Sequence, residues 1–422
     1  MTSLPKKVTV IGLGKSGVAI AKLLARERYQ VKVTEASNNA VLQIHAEELT
    51  KLGIAVELGG HRESFYRDTE LMVPCPGVKP TAEPIQWAKR DRIPILGEME
   101  VAYRYTPCPI VGITGTNGKT TVTMLIGEVL KNAGRLVKVG GNIGTPLSAF
   151  VNELTANHWV VLEISSFQLE YIEQFRPKIA VLLNFTPDHL DHHRDLNEYF
   201  EMKSKITQYQ RPEDYLILNA KDKWLKSIKG KSRAQLLFFN QEKENESLNE
   251  NEKAVVLIGS ILGIPKQIIY ETLQNFKGVE HRMEEIIVWE NIRFVNDSKS
   301  TNVDSLRWAL QNTLAPLHLI AGGRDKGGDF SQLNSLLKEK AKRVVLIGEA
   351  KGKLLNAWKE LAIPLNQVDS LETAVVCACE NSLPGTTILL SPGCASFDMF
   401  QNYEERGHQF KKIVHEMVKD VS

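Results

Sequence analysis

The sequence lacks any run of about 18 uninterrupted apolar residues, so no membrane-spanning helix is expected. It also lacks a surplus of either charge: 52 Lys and Arg against 50 Asp and Glu leave a net charge of +2. A dedicated nucleic-acid binder carries a basic excess, so that class is not expected, although local cationic pockets for phosphates or carboxylates are allowed. Cysteine is scarce. Cys75, Cys108, Cys377, Cys379 and Cys394 are odd in number and form no CxxC pair, so neither a disulfide framework nor a zinc ribbon is expected, and a reducing, cytoplasmic setting is. No repeat of 20–50 residues and no long low-complexity tract occurs. The polar stretch QEKENESLNENEK (241–253) reads as a solvated loop. The opening MTSLPKKVTVIGLGKSG echoes a signal peptide, but Gly12, Gly14, Lys15 and Gly17 break its apolar run, and a folded strand and turn is expected instead.

What is present is an ordinary globular composition, 43% hydrophobic and 24% charged over 422 residues. At about 150 residues per domain, that length suggests three domains. The pattern divides into three α/β blocks. In the first, residues 1–106, KVTVIGLG runs into a glycine turn, GVAIAKLLARE has helical spacing and YQVKVTEAS alternates like a strand. TPCP (106–109) reads as a linker, because each proline biases its predecessor away from helix. The second block, 107–279, opens on the strand PIVGIT. A helix with Val122, Leu125, Ile126, Val129 and Leu130 on one face follows, and HWVVLEI, KIAVLLNF and YLILN are later strands. The third, 280–422, contains strands IRFVND, LHLIAGG, RVVLIGE and TTILLSPG, and a helix from about Gln401 closes the chain. Ligand sites are expected at the carboxyl ends of these strands.

The sharpest motif is GITGTNGKTT (112–121), between an apolar strand and an amphipathic helix. Glycines let backbone N–H groups curl around phosphate oxygens, and a helix N-terminus adds positive potential. In this reading Gly115, Thr116, Asn117, Gly118 and Thr121 form the cradle, Lys119 reaches the β- and γ-phosphates and Thr120 offers its hydroxyl to Mg²⁺. The match is to the short form GxxGKT, since Ile113 stands where the longer pattern has its first glycine, and the competing reading is a capped glycine turn. In the first block, GLGKSG (12–17) fits GxGxxG, with Glu35 ending the next strand. That pattern suits a dinucleotide, another phosphate-bearing ligand, or tight strand–helix packing alone.

NFTPDHLDHH (184–193) places three histidines among oxygen donors and no cysteine, a set that suits Mg²⁺ with one imidazole better than zinc. A polar loop is the plainer reading. Glu163 ends HWVVLEI, where a half-buried carboxylate needs a metal, a cation or a salt-bridge partner. Lys203, in YFEMKSKI, reads by itself as a surface lysine.

Taken together, TGTNGKTT (114–121), GNIG (141–144), LEISSFQLE (162–170), NFTPDHLD (184–191), the Lys203 helix, HR (281–282), NDSKSTN (296–302), GGRDKGGDF (322–330) and SPGCASFDMFQNYEERGHQF (391–410) resemble the Mur ligases, the ATP-dependent amide-forming enzymes of peptidoglycan synthesis. The resemblance spans nearly the whole chain, and its last motif and LEISSFQLE look most like the D-glutamate-adding branch. It implies an α/β protein of three domains: Rossmann-like at the N-terminus, a central P-loop ATPase-like domain with a mainly parallel sheet, and Rossmann-like at the C-terminus. The implied substrates are UDP-N-acetylmuramoyl-L-alanine and D-glutamate. The implied cofactors are ATP and Mg²⁺ at two sites.

Residue by residue, the resemblance assigns Lys15, Ser16, Glu35 and Gly77 to the UDP end, in place of a dinucleotide. Cys75 stands where Ser is common before Pro-Gly. Lys119 and Thr120 fall in the ATP loop. Thr120 and Glu163 would ligate one Mg²⁺, and His189 with a carbamylated Lys203 the second. Asn142 would sit near the reacting carboxylate, and Asn251 near adenine. His281, Arg282 and Asp297 match nucleotide contacts. Lys299, Thr301, Lys326, Ser396, Phe397 and Tyr403 match positions around D-glutamate, although Lys326 could merely neutralise Asp325 or Asp329, and Tyr403 could be core. Lys119, Lys203, His189, Glu163 and Arg282 are therefore the expected catalytic group. No nucleic-acid partner and no membrane insertion are expected, and the enzyme is expected to act as a monomer. Rival readings are another Mur-type or folylpolyglutamate-type ligase, an NAD-dependent oxidoreductase, and a non-catalytic nucleotide sensor.

Overall fold

The computed structural model describes residues 4–188, 192–228, 230, 232–241 and 247–420. Three sheets follow one another along the chain. The first contains β1 (Lys7–Ile11), β2 (Gln30–Glu35), β3 (Ala55–Leu58) and β4 (Leu71–Pro74), in the order β3-β2-β1-β4. The second contains β5 (Ile110–Thr114), β6 (Leu136–Gly141), β7 (His158–Glu163), β8 (Ile179–Leu182), β9 (Tyr215–Asn219) and β10 (Gln235–Phe239), in the order β10-β9-β8-β5-β7-β6. Every pairing in these two sheets is parallel. The third contains β11 (Glu284–Trp289), β12 (Ile292–Asn296), β13 (Leu317–Gly322), β14 (Ala341–Ile347), β15 (Leu365–Gln367) and β16 (Thr387–Leu390), in the order β11-β12-β16-β13-β14-β15. There β11 alone runs antiparallel to its neighbour.

Burial on both faces explains the near-continuous apolar strands. In the second sheet, Val111, Val161, Val181 and Ile217 pack with Val122, Leu125, Ile126, Val129 and Leu130 of the helix Lys119–Asn132. The alternate residues Ile110, Val160, Leu162, Ala180, Leu182, Leu216 and Leu218 face the opposite way, into a core shared with β1 and β2. The third sheet repeats this, with Leu319, Val344 and Leu346 in one core and Ile320, Val345 and Ile347 in another. By packing, the chain divides into two compact units, Met1–Phe185 with Asp195–Phe276, and Thr186–Arg194 with Lys277–Ser422.

The ten strands read from the sequence are all present. The six it did not show, β3, β4, β6, β10, β11 and β15, are the two edges of each sheet. The loop expected over 241–253 is corrected in part: residues 242–246 lie outside the described residues, but a helix begins at Glu250. Asn249 and Glu252 cap it reciprocally, a short-range signal that polarity alone obscures. Among the described residues, no helix is long and apolar enough to cross a membrane.

Candidate active site

Two glycine turns lie in the first unit, each following a strand of a parallel sheet. After β1, Gly12 has φ +100°, and a Cβ on Gly17 would meet the Gly12 carbonyl oxygen at 2.0 Å. Only glycine at position 17 therefore lets the helix Lys15–Arg26 close onto the strand. Lys15 and Ser16 open that helix, Lys15 exposed. The Glu35 carboxylate, at the end of β2, accepts N–H bonds from Leu13 (2.9 Å) and Ser37 (2.9 Å), so it clasps the glycine turn to the next loop. Gly77 takes φ +92° in open space, and the buried Cys75 sits beneath Gly12, its Sγ 3.5 Å from the Gly12 oxygen. Burial raises that thiol well above its ordinary pKa, so it is a packing group.

The second turn follows β5. Gly115 and Gly118 take φ +147° and +82°, and Lys119 starts the long helix, with Thr120 and Thr121 in its first turn. Asn184, just after β8, pins this loop. Its Oδ1 accepts from the backbone N–H groups of Thr116 (3.1 Å) and Asn117 (2.8 Å), and its Nδ2 donates to the Asn117 carbonyl (3.0 Å). Lys119 Nζ folds back onto the carbonyls of Gly115 (3.0 Å) and Thr116 (2.7 Å). Lys203 Nζ donates to the same Gly115 carbonyl (2.9 Å) and lies over the Tyr199 ring. It is only 3% exposed, which corrects the reading of this side chain as a surface lysine. Asn251 also arrives here: a Cβ on Gly118 would stand 2.4 Å from its Oδ1.

Glu163, at the end of β7, is 3% exposed. Its oxygens accept from Thr120 Oγ1 (2.6 Å) and Asn142 Nδ2 (2.8 Å), and among the described residues it forms no ion pair. The salt-bridge alternative is thereby set aside. A buried carboxylate beside a hydroxyl is a hard oxygen pair, and it fits a Mg²⁺ ion that would displace the two hydrogen bonds from Thr120 and Asn142. Of the two expected ligands of the second ion, Lys203 is placed as above and His189 lies outside the described residues.

In the second unit the third sheet gathers its own cluster. Asp297, fully buried after β12, is pushed up to about 6 by burial, with the Arg282 guanidinium and the Ser391 hydroxyl opposing the rise. Arg282 Nη1 stands 3.6 Å from its Oδ1, and Ser391 donates to Oδ2 (2.8 Å). His281 takes φ +61°, and its Nδ1 accepts from the Asn296 amide (2.9 Å), which places the ring proton on Nε2. That N–H is buried and makes no hydrogen bond among the described residues, the Glu280 carboxylate standing 3.9 Å away. Glu280, His281 and His408 also bring their ligand atoms within 4.8 Å of one another. The tautomer sets the imidazole's lone pair on the wrong nitrogen for a metal there, and Lys411 already binds Glu280 (2.9 Å).

Lys299 donates to the Tyr403 hydroxyl (2.6 Å), so Tyr403 is a polar partner and not core alone. Thr301 precedes Asn302, the N-cap of the next helix. Lys326 pairs with Asp188 (3.7 Å), whereas Asp325 pairs with Lys353 and Asp329 caps the turn at Ser331. Neither neighbouring acid therefore accounts for Lys326. Ser396 is buried, while Phe397 is 63% exposed. Asn184 and Arg406 lie inside motifs quoted from the sequence, yet neither stood out there. Their roles depend on partners 67 and 108 residues away.

Comparison with known proteins follows the same lines. Family models match in three places: "Mur ligase MurD-like, N-terminal domain" over residues 6–97, "Mur ligase middle domain" over 113–263 and "Mur ligase, glutamate ligase domain" over 281–394. The chain is 40% identical to the UDP-N-acetylmuramoylalanine--D-glutamate ligase of Pelotomaculum thermopropionicum, covering 97% of each chain. It is 41% identical to the ligase of that name from Caldanaerobacter subterraneus, covering 97% of this chain and 98% of the relative. In fold it is similar to the UDP-N-acetylmuramate-alanine ligase MurC of Thermotoga maritima (TM-score 0.62, 20% identity, 97% of this chain and 99% of that one). It is also similar to MurF of Acinetobacter baumannii (TM-score 0.62, 15% identity, 97% and 93%). The chain belongs to the Mur ligase family.

Proposed function

We propose that this chain joins D-glutamate to UDP-N-acetylmuramoyl-L-alanine, with ATP converted to ADP and phosphate, as an enzyme of peptidoglycan precursor synthesis. Near-full-length identity of about 40% to ligases of that name supports the choice of substrates. The observation that carries the chemistry is the meeting of Lys119 and Lys203 on one carbonyl of a phosphate loop, beside the buried Glu163–Thr120 pair. The assignment divides the chain into a UDP-substrate domain (1–106), an ATP domain (107–279) and an amino-acid domain (280–422).

A carboxylate does not acylate an amine unaided. The alanine carboxylate first attacks the γ-phosphorus of ATP, forming an acyl phosphate and releasing ADP. The D-glutamate nitrogen then attacks the acyl carbon, phosphate leaves, and the nitrogen loses its proton. Two anions must meet in the first step, so the chain's task is to neutralise charge and align the partners. Lys119 and Arg282 do so with fixed cations, and the amides of the Gly115–Gly118 turn bind phosphate oxygens. The His281 Nε2–H donates to a nucleotide oxygen. Thr120 and Glu163 would hold one Mg²⁺, and His189 with carbamylated Lys203 the other, the metal supplying further neutralisation of the phosphates. Carbamylation would turn Lys203 from a cation into an oxygen ligand: the deprotonated amine adds to CO₂ and releases a proton. Lys299, Lys326 and Ser396 supply cations and a donor for a dicarboxylate.

The test is phosphate release with ATP, Mg²⁺ and UDP-N-acetylmuramoyl-L-alanine, with and without D-glutamate and across a panel of other amino acids. Turnover with D-glutamate above all others is expected. Equal turnover without any amino acid, or preference for L-glutamate with a folate substrate, would refute the assignment.

A further inference from the structure

Arg406, on the closing helix Tyr403–Asp420, is 1% exposed. A buried guanidinium is normally matched by a carboxylate, because an unpaired charge is costly to bury. Here, among the described residues, no carboxylate forms an ion pair with it, and burial pushes its pKa down to about 10. Its donors go to the backbone and one hydroxyl. Nε donates to Ser298 Oγ (3.0 Å), and Nη2 donates to the carbonyls of Ser298 (2.8 Å) and Cys394 (3.2 Å). Nη1 lies where a Cβ on Gly323 would come within 3.2 Å, so a third segment is packed against the same plane. Ser298 Oγ in turn donates to the Tyr403 carbonyl (2.8 Å).

These three segments follow β12, β13 and β16, which lie side by side in the sheet. They carry Lys299 and Thr301, Lys326, and Ser396 and Phe397. One side chain therefore hydrogen-bonds the backbone of two of the loops that bear the residues assigned to D-glutamate, those after β12 and β16, and packs beside Gly323 in the third. The planar fork of five N–H groups is what allows it, since a lysine ammonium could not reach such divergent acceptors at once. We propose that Arg406 is a positioning residue that holds these three loops in register for the amino-acid substrate, without touching that substrate itself. The proposal rests on the function given above.

Hydroxylamine separates the two. It attacks the acyl carbon of an acyl phosphate, expels phosphate and leaves a hydroxamate, so it reports activation of the first substrate without D-glutamate. In Arg406→Lys, the KM for D-glutamate should rise about tenfold or more, the loss of roughly one charged hydrogen bond. Hydroxamate formation and the KM for ATP should stay within about threefold of wild type. An unchanged KM for D-glutamate, or an equal fall in both reactions, overturns the proposal. Should that variant lose its cooperative thermal transition, Ser298→Ala decides. It removes only the Oγ acceptor, and a KM for D-glutamate raised about threefold with hydroxamate formation intact is expected. No rise there overturns the proposal. Wild-type protein that forms neither hydroxamate nor amide overturns instead the function on which it rests.

Discussion

Two glycine turns in the first unit share one recipe and diverge in chemistry. Each follows a buried parallel strand, opens a helix, and has an acid at the end of the neighbouring strand: Glu35 on β2 beside β1, Glu163 on β7 beside β5. Glu35 is bound by backbone N–H groups, which have no alternative use, so it is a clasp that shapes the turn. Glu163 is bound by a side-chain amide, which can rotate away from a cation, and by a hydroxyl, which can turn its lone pair toward one. A turn of the second kind also collects lysines, Lys119 from its own helix and Lys203 from a distant one. On the proposed function both glycine turns make room for phosphate, and the donors around the adjacent acid distinguish the one assigned a metal.

The contrast can be broken in order of expected effect. Lys203→Ala should lower amide formation by about a thousandfold, the scale of losing a main electrostatic group. A short-chain carboxylic acid added to that variant should recover part of the rate. Full activity in the variant would remove Lys203 from the reaction. Glu163→Gln keeps the shape and one acceptor oxygen but removes the charge and the second acceptor. It should cost about a hundredfold in kcat and raise the Mg²⁺ concentration needed for half-maximal rate. A Mg²⁺ titration identical to wild type would show that Glu163 behaves as Glu35 does.

Glu98 asks whether any buried acid in this unit is poised for a cation. It accepts a hydrogen bond from Ser148, and burial pushes it up to about 7, the hydroxyl opposing. The folded chain therefore holds a proton that the unfolded chain loses near pH 4.5. The stability this confers is fully present below that pH and is lost as pH rises through about 7, by roughly 3 kcal/mol. Glu98→Gln should flatten the fall in melting temperature between pH 5 and 8. A variant that melts with the same pH slope as wild type would contradict this. The smallest effect is expected for Glu35→Gln. It should raise the KM for the UDP substrate a few-fold, about 1 kcal/mol, and leave the KM for ATP unchanged. A loss as large as that of Glu163→Gln would end the distinction between the two turns.

What could be read in advance follows a physical divide. Interior strands are buried on both faces, so their composition announces them. Edge strands such as QLLFF of β10 and LNQ of β15 are part-exposed, and β4, though buried, has only four residues, so pairing reveals them. The glycine turn that opens the helix at Lys119 was legible because its residues are consecutive. Asn184, which pins that loop, was not, because asparagine after a strand has many ordinary uses.

By itself the chain's order of residues determined the glycine turns, the apolar alternation and the acids at the strand ends, since each is a local property of backbone conformation and periodicity. Folding alone decided that Lys203 would be buried on the carbonyl already bound by Lys119, that Glu163 would keep neutral partners, and that Arg406 would face three loops with no acid paired to it. Those facts are electrostatic. They depend on which charges approach each other away from water, and that is set by packing between residues far apart in the chain.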